Sequence, residues 1–143
     1  MASFGVYVDA NIVIRLIEVG DDEIRSFVEH LQARDGEMIT SELTLTEVLV
    51  APLRKTDDGL VKHYEAFLQS GGGVSMIPVS RTILRRSAEL RALFHHKTPD
   101  AIHVASAEAS GCRLFVSADK RLNVPETLMR ITVDERHRLD RLP

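Results

Sequence analysis

Four carboxylates stand where short apolar stretches meet helices: Asp9 in VYVDANIVI, Glu47 in LTLTEVLVAPL, Asp100 in TPDAIHVASA and Asp119 in LFVSADKRL. Asp9 and Asp119 directly follow runs of apolar, β-prone residues, at what reads as the carboxyl end of a strand. Glu47 is the only charged residue between Leu43 and Leu53, and Leu43, Val50 and Ala51 share its helical face. An unpaired carboxylate is costly to bury there, so Glu47 needs a partner, a metal or a cleft. Asp100 falls in the first turn of a helix, where the dipole favours an anion. Each acid taken alone also has a purely structural explanation, a helix cap for Asp9 and a surface ion pair for Glu47. Brought together, the four would repel and could not all ionise without a cation. They are hard oxygen donors without clustered Cys or paired His, a set that suits Mg²⁺ or Mn²⁺ rather than Zn²⁺. Carboxylate-held magnesium keeps waters and meets phosphates, and the matching chemistry is metal-assisted phosphodiester hydrolysis.

The elements that must position these acids alternate between strand and helix. Strands are expected over about Phe4 to Val8, Glu37 to Thr40, Val74 to Val79, Arg113 to Ser117 and Met129 to Val133. Helices are expected over about Ala10 to Val19, Glu23 to Ala33, from Thr40 or Ser41 to Leu53, after Thr56-Asp57-Asp58-Gly59, and over Arg81 to Phe94 behind Ser80. A further helix starts with Thr98 as cap and Pro99 at the first helical position, and ends at Gly111. This alternation predicts an α/β domain with a parallel sheet, helices on both faces and right-handed crossovers. Ligands of such sheets gather beyond the carboxyl ends of the strands. Asp9 and Asp119 are delivered there directly, and the helices carrying Glu47 and Asp100 can flank the same crevice.

Other features have simpler readings. Gly71-Gly72-Gly73 reads as a helix stop, since no Lys-Ser/Thr follows as a phosphate loop requires. Adjacent His95 and His96 point different ways in most backbones, which disfavours a shared metal. His103 shares a helical face with Asp100 and reads as a packed, hydrogen-bonded residue. Arg81, Arg85 and Glu89 read as a solvated face.

The chain has 143 residues, 44% apolar and 27% charged, which fits one globular domain over residues 1–133 with a polar, solvated tail over 134–143. No run of about 18 apolar residues could span a bilayer, and Met1-Ala2-Ser3-Phe4 lacks the features of a signal peptide. Cys112 stands alone and reads as a buried free thiol, so nothing asks for an oxidising compartment. A cytoplasmic, membrane-free protein is the expectation. The net charge of −3 argues against a general nucleic-acid coat. With the four acids neutralised by metal, the remaining surface need not repel a polyanion.

Taken together, VYVDANIVIRL, TLTEVL, PDAIHVASA and LFVSADKRL resemble the PIN domain family of ribonucleases, most closely the small VapC-like toxins of bacterial toxin–antitoxin pairs. The resemblance covers nearly the whole chain, through the order and spacing of the motifs. It implies a five-stranded parallel sheet, an acidic Mg²⁺/Mn²⁺ site, endonucleolytic cleavage of RNA, a homodimer, and a small antitoxin protein whose segment occupies the cleft. Carried over by residue, Asp9, Glu47, Asp100 and Asp119 would be the catalytic metal ligands or water-orienting acids. Ser117 would support the site, and Asn11 stands where a polar residue often follows the first Asp. Many members carry a further acid after the last Asp; here Lys120-Arg121-Leu122 follows, and Lys120 or Arg121 could meet substrate phosphate instead. Three other readings compete. A phosphoacceptor receiver would need an Asp after the third strand, where Ile77-Pro78-Val79-Ser80 stands. The other two are a non-catalytic PIN-like domain that binds RNA or protein, and a housekeeping RNA-processing nuclease.

Overall fold

The apolar run at the start of the chain forms β1 (Phe4–Val8), the central strand of a five-stranded sheet ordered β3-β2-β1-β4-β5. The computed structural model describes residues 4–69 and 71–141. The first three residues and the last two of the expected tail lie outside these, as does the side chain of Arg141. The other strands are β2 (Gly36–Ser41), β3 (Ser75–Ile77), β4 (Leu114–Val116) and β5 (Met129–Ile131), and every pairing is parallel. In register, Val8 of β1 sits opposite Val116 of β4.

Successive residues of a strand face opposite sides, and here the two sides feed two apolar cores. Val6, Val8, Met38, Leu114 and Val116 point into one, with Ile24, Phe27 and Leu31 of α2 (Asp22–Gln32) and Tyr64 of α4 (Asp58–Phe67). Tyr7, Ile39 and Phe115 point into the other, with Leu90 of α5 (Arg81–Phe94) and Ala101, Val104 and Ala105 of α6 (Thr98–Ala109). Burial on both faces explains why β4 is apolar without alternation. The small residues of α6 bring it close to the sheet and to α5; all of its residues from Ala101 to Ala107 are buried.

The chain winds from β1 outward to β3 with its helices on the first side. It then returns through α5 and α6 on the second side to place β4 beside β1. Right-handed crossovers require that change of side when the direction of winding reverses. The reversal opens a switch point between β1 and β4, where an open parallel sheet collects its ligand.

Local signals hold with small shifts. Asp9, Asp21, Asp57 and Ser80 cap helices by accepting a backbone N–H three residues on. The first helix is α1 (Ala10–Ile14), continued by a π-helical turn (Arg15–Val19) that closes on Gly20 in the left-handed region. Glu18 of that turn accepts a hydrogen bond from the buried Tyr64 hydroxyl, tying α4 to the start of the chain. At α3 (Leu43–Arg54), Ser41 is the residue whose hydroxyl accepts from the Leu43 N–H, at 3.0 Å. Thr40 instead donates to the Val8 carbonyl at 2.7 Å and bonds Thr44, both buried. At α6 the Ala101 N–H bonds the Lys97 carbonyl, so Lys97 rather than Thr98 is the cap, and Pro99 is the second helical residue. The two adjacent histidines diverge. His95 ends α5 with φ 59° and is exposed, whereas His96 is buried with Nε2 2.7 Å from the Asn123 carbonyl.

Beyond β5 the polar segment is not a solvated tail. Val133–Arg141 forms 3₁₀ turns packed on α2, with Leu139 buried in the first core. Asp140 pairs with Arg34, and Arg138 with Glu135. Two buried apolar residues, Val133 and Leu139, dock a segment whose other residues are polar. No helix among the described residues is long and apolar enough to cross a membrane. Leu139→Ala is expected to destabilise the domain by about 2–5 kcal/mol in urea unfolding. A change below about 0.5 kcal/mol would mean that the segment is not part of the fold.

Candidate active site

Asp9 follows β1 directly and Ser117 follows β4, so the register of these strands brings the two side by side at the switch point. Asp9 is half-buried. One carboxylate oxygen accepts the Ile12 N–H at 3.1 Å, capping α1, and the nearby Ser117 hydroxyl favours the charged form of the group. Burial outweighs both effects and raises the Asp9 pKa above the ordinary aspartate range, and the nearby Asp100 charge pushes the same way. Ser117, itself buried, accepts the Asp119 N–H at 3.1 Å. The Ser117 hydroxyl therefore stands near the end of β1 while bonding the loop after β4.

Asp100 enters from the first turn of α6, half-buried, close enough to Asp9 to act on its charge. Glu47 enters from the second turn of α3, with its side chain 30% exposed. Its partner is neither Arg nor Lys but His103, whose Nε2 lies 2.5 Å from a Glu47 carboxylate oxygen. Asp119 is the outermost of the four, 52% exposed on a turn rather than a helix. One of its carboxylate oxygens accepts the Arg121 N–H at 3.0 Å, and the Arg121 guanidinium lies 3.9 Å away, almost wholly exposed. Asn11 is exposed on the first turn of α1.

The tertiary structure thus links Asp9, Asp100, Ser117 and, through His103, Glu47, while the Asp119 carboxylate is turned toward its own loop. Among the described residues no three His, Cys, Asp or Glu side chains close around one point. The donor set nevertheless fits a hard divalent cation: carboxylates at a sheet edge, one of them half-buried beside a like charge and holding its proton more tightly for that reason. A cation between Asp9 and Asp100 would relieve both the burial and the repulsion.

Two contributors were not marked by residue type and spacing. Tyr7 lies one residue before Val8 and faces the opposite side, with its hydroxyl 2.6 Å from His103 Nδ1. His103 is buried between Tyr7 and Glu47. The only signal in the sequence was its position three residues after Asp100, which places both on one helical face.

The profile of the PIN domain matches residues 6–126. The fold is similar to several solved structures. The VapBC2 complex of Rickettsia felis, bound to a DNA fragment from its promoter, gives a TM-score of 0.73 at 19% identity over 90% of this chain and 98% of that one. A toxin–antitoxin complex from Klebsiella pneumoniae gives 0.65 at 23% identity, covering 90% and 97% of the two chains. VapC20 of Mycobacterium tuberculosis, a toxin that cleaves the sarcin–ricin loop, gives 0.61 at 19% identity, covering 80% and 91%. No curated protein matches the sequence. With its profile match spanning all four acids and its sheet ordered around Asp9, the chain belongs to the PIN domain family.

Proposed function

We propose that this protein is a Mg²⁺- or Mn²⁺-dependent endoribonuclease and the toxin of a toxin–antitoxin pair, acting in the cytoplasm. The observation that carries the reading is that Asp9 stands at the switch point of the sheet with Asp100 close enough to act on its charge. Asp9, Glu47, Asp100 and Asp119 are the residues that would hold the ion. When bound there, a divalent ion supplies the charge that acidifies an attacking water and offsets negative charge on the phosphate.

The chain's own residues prepare the site. Asp9 is fixed by the α1 backbone, so its carboxylate is aimed before any ligand arrives. Asp100 stands in the first turn of α6, where the dipole offsets part of its charge. Asp119 and the exposed Arg121 border the crevice on the open side. Arg121 is free to meet a phosphodiester while Asp119 orients water or metal. Lys120, also exposed, adds positive charge to that edge.

Toxin membership draws on the solved relatives, which include VapBC and toxin–antitoxin complexes and one toxin that cleaves the sarcin–ricin loop. The chain spans nearly the full length of the first two. The partners of this protein are then an RNA substrate, a cognate antitoxin protein and a second copy of itself.

The test is cleavage of a labelled RNA mixture by purified protein in Mg²⁺, in Mn²⁺ or in EDTA. Cutting is expected with either metal and not with EDTA. Asp100→Asn is expected to lower the rate at least about a hundredfold while leaving the fold intact. An active Asp100→Asn protein would show that the acids are not the site. Folded wild-type protein that neither cuts RNA nor binds metal would favour the non-catalytic PIN-like reading.

The metal-free protein offers a second check through pH. A carboxyl group whose pKa is raised on folding binds its proton more tightly in the native state. Stability therefore falls as pH rises from about 4 through the native value of Asp9. Asp9→Asn keeps the cap, since Asn caps as well as Asp, and removes the charge. Chelated Asp9→Asn protein is expected to melt higher than wild type at pH 7, with the gap closing below about pH 4. A variant that melts lower at pH 7 would refute the unfavourable burial of Asp9.

A further inference from the structure

Behind Glu47 runs a hydrogen-bonded chain that crosses three elements. Tyr7 of β1 meets His103 of α6 at 2.6 Å through Nδ1, and His103 meets Glu47 of α3 at 2.5 Å through Nε2. Tyr7 is fully buried and His103 is 3% exposed, while Glu47 opens on the crevice. A carboxylate can only accept a hydrogen bond, so the nitrogen facing Glu47 carries a proton. A neutral imidazole then has a bare Nδ1, which accepts from Tyr7. The carboxylate end thus sets the tautomer, and the Tyr7 hydroxyl, which can donate or accept, is compatible with it.

Packing alone does not account for this arrangement. The Tyr7 ring stacks on Phe115 with centroids 5.2 Å apart, a contact that Phe would make as well. Its hydroxyl is desolvated by burial, with Thr40, Ser106 and the Ser41 backbone as its other polar neighbours, a cost offset only by bonding. Aliphatic residues would fill the position of His103 on α6 without that cost. What the polar chain adds is a fixed donor aimed at one carboxylate oxygen from the buried side, which leaves the other oxygen unengaged by His103.

We propose that His103 is a positioning residue: anchored to Tyr7 through Nδ1, it holds the Glu47 carboxylate through its Nε2 proton in the orientation required at the site. The role of Glu47 as a ligand rests on the function proposed above; the tautomer does not. This is the arrangement by which outer partners orient metal-binding groups, with the histidine here bonded to the acidic ligand rather than to the ion.

The tautomer is tested on metal-free, ¹⁵N-labelled full-length protein at about pH 8, by long-range proton–nitrogen correlation of the histidine rings. The His103 ring is expected to carry its proton on Nε2 with Nδ1 bare, and to keep it there in Tyr7→Phe, because the Glu47 carboxylate can only accept. A proton on Nδ1 of the wild-type ring, alone or together with one on Nε2, overturns the proposal. The positioning role is tested by Mn²⁺ titration of wild type, His103→Gln and His103→Leu, each checked for folding by circular dichroism. His103→Leu is expected to weaken Mn²⁺ binding by roughly tenfold or more. His103→Gln is expected to restore most of the affinity, because an amide N–H can stand where the Nε2 proton stands. Equal affinities, or equal losses in both variants, overturn the positioning role. Wild-type protein that binds no Mn²⁺ overturns the metal reading of the site instead, and the ring protonation then decides the Tyr7–His103–Glu47 chain on its own.

Discussion

Placing a carboxylate at the end of the central strand of a sheet that is covered on both faces has an electrostatic cost, and much of this structure is arranged around that cost. Asp9 cannot retreat into solvent, because Val6, Tyr7 and Val8 before it are buried and α1 begins immediately after it. The available compensation is local: one backbone N–H of α1 and one hydroxyl from β4. Neither offsets the burial fully, since the Asp9 pKa remains raised. A group left short of compensation in a folded protein marks a place where a ligand of opposite charge is worth more than elsewhere.

That constraint makes the reversal of winding the decisive feature of the topology. Returning through α5 and α6 on the second face puts β4 beside β1 and α6 against Tyr7. The same move delivers Ser117, Asp119, Asp100 and His103 to one edge. The run of buried small residues in α6 allows this helix to approach closely enough for His103 to bond a strand residue on one side and an α3 residue on the other. Bulkier side chains at Ala101 or Ala105 would separate these layers and break both bonds.

Membership of the PIN family accounts for the sheet and for the order of the acids along the chain, but a fold shared at 14–23% identity leaves the site to be argued from this chain's own residues. Lys120 and Arg121 after Asp119, and the Tyr7–His103–Glu47 chain, belong to that level. They bear on the charge after Asp119 and on how Glu47 is held, questions on which the architecture is silent.

Much of this was legible in the amino-acid order. Short apolar runs marked five strands and period-three-to-four patterning their helices, because burial of both faces or of one leaves a trace of apolar residues. Asp9 and Asp119 were legible as strand-end acids, and Glu47 as the lone charge on an apolar helix, because an isolated charge in such a setting demands a partner. The identity of that partner was not legible. His103 lies 56 residues from Glu47 and 96 from Tyr7, and no local rule joins residues so far apart. Leu139 likewise reads as one apolar residue in a polar stretch until α2 is there to receive it. The sequence by itself determined the elements, their parallel order and which acids face the strand ends, since these follow from local sterics and patterning. Only the tertiary structure decided which acids share a charge environment, which one is held by a histidine and which faces solvent, because desolvation and hydrogen bonding depend on distances that exist only once the layers have packed.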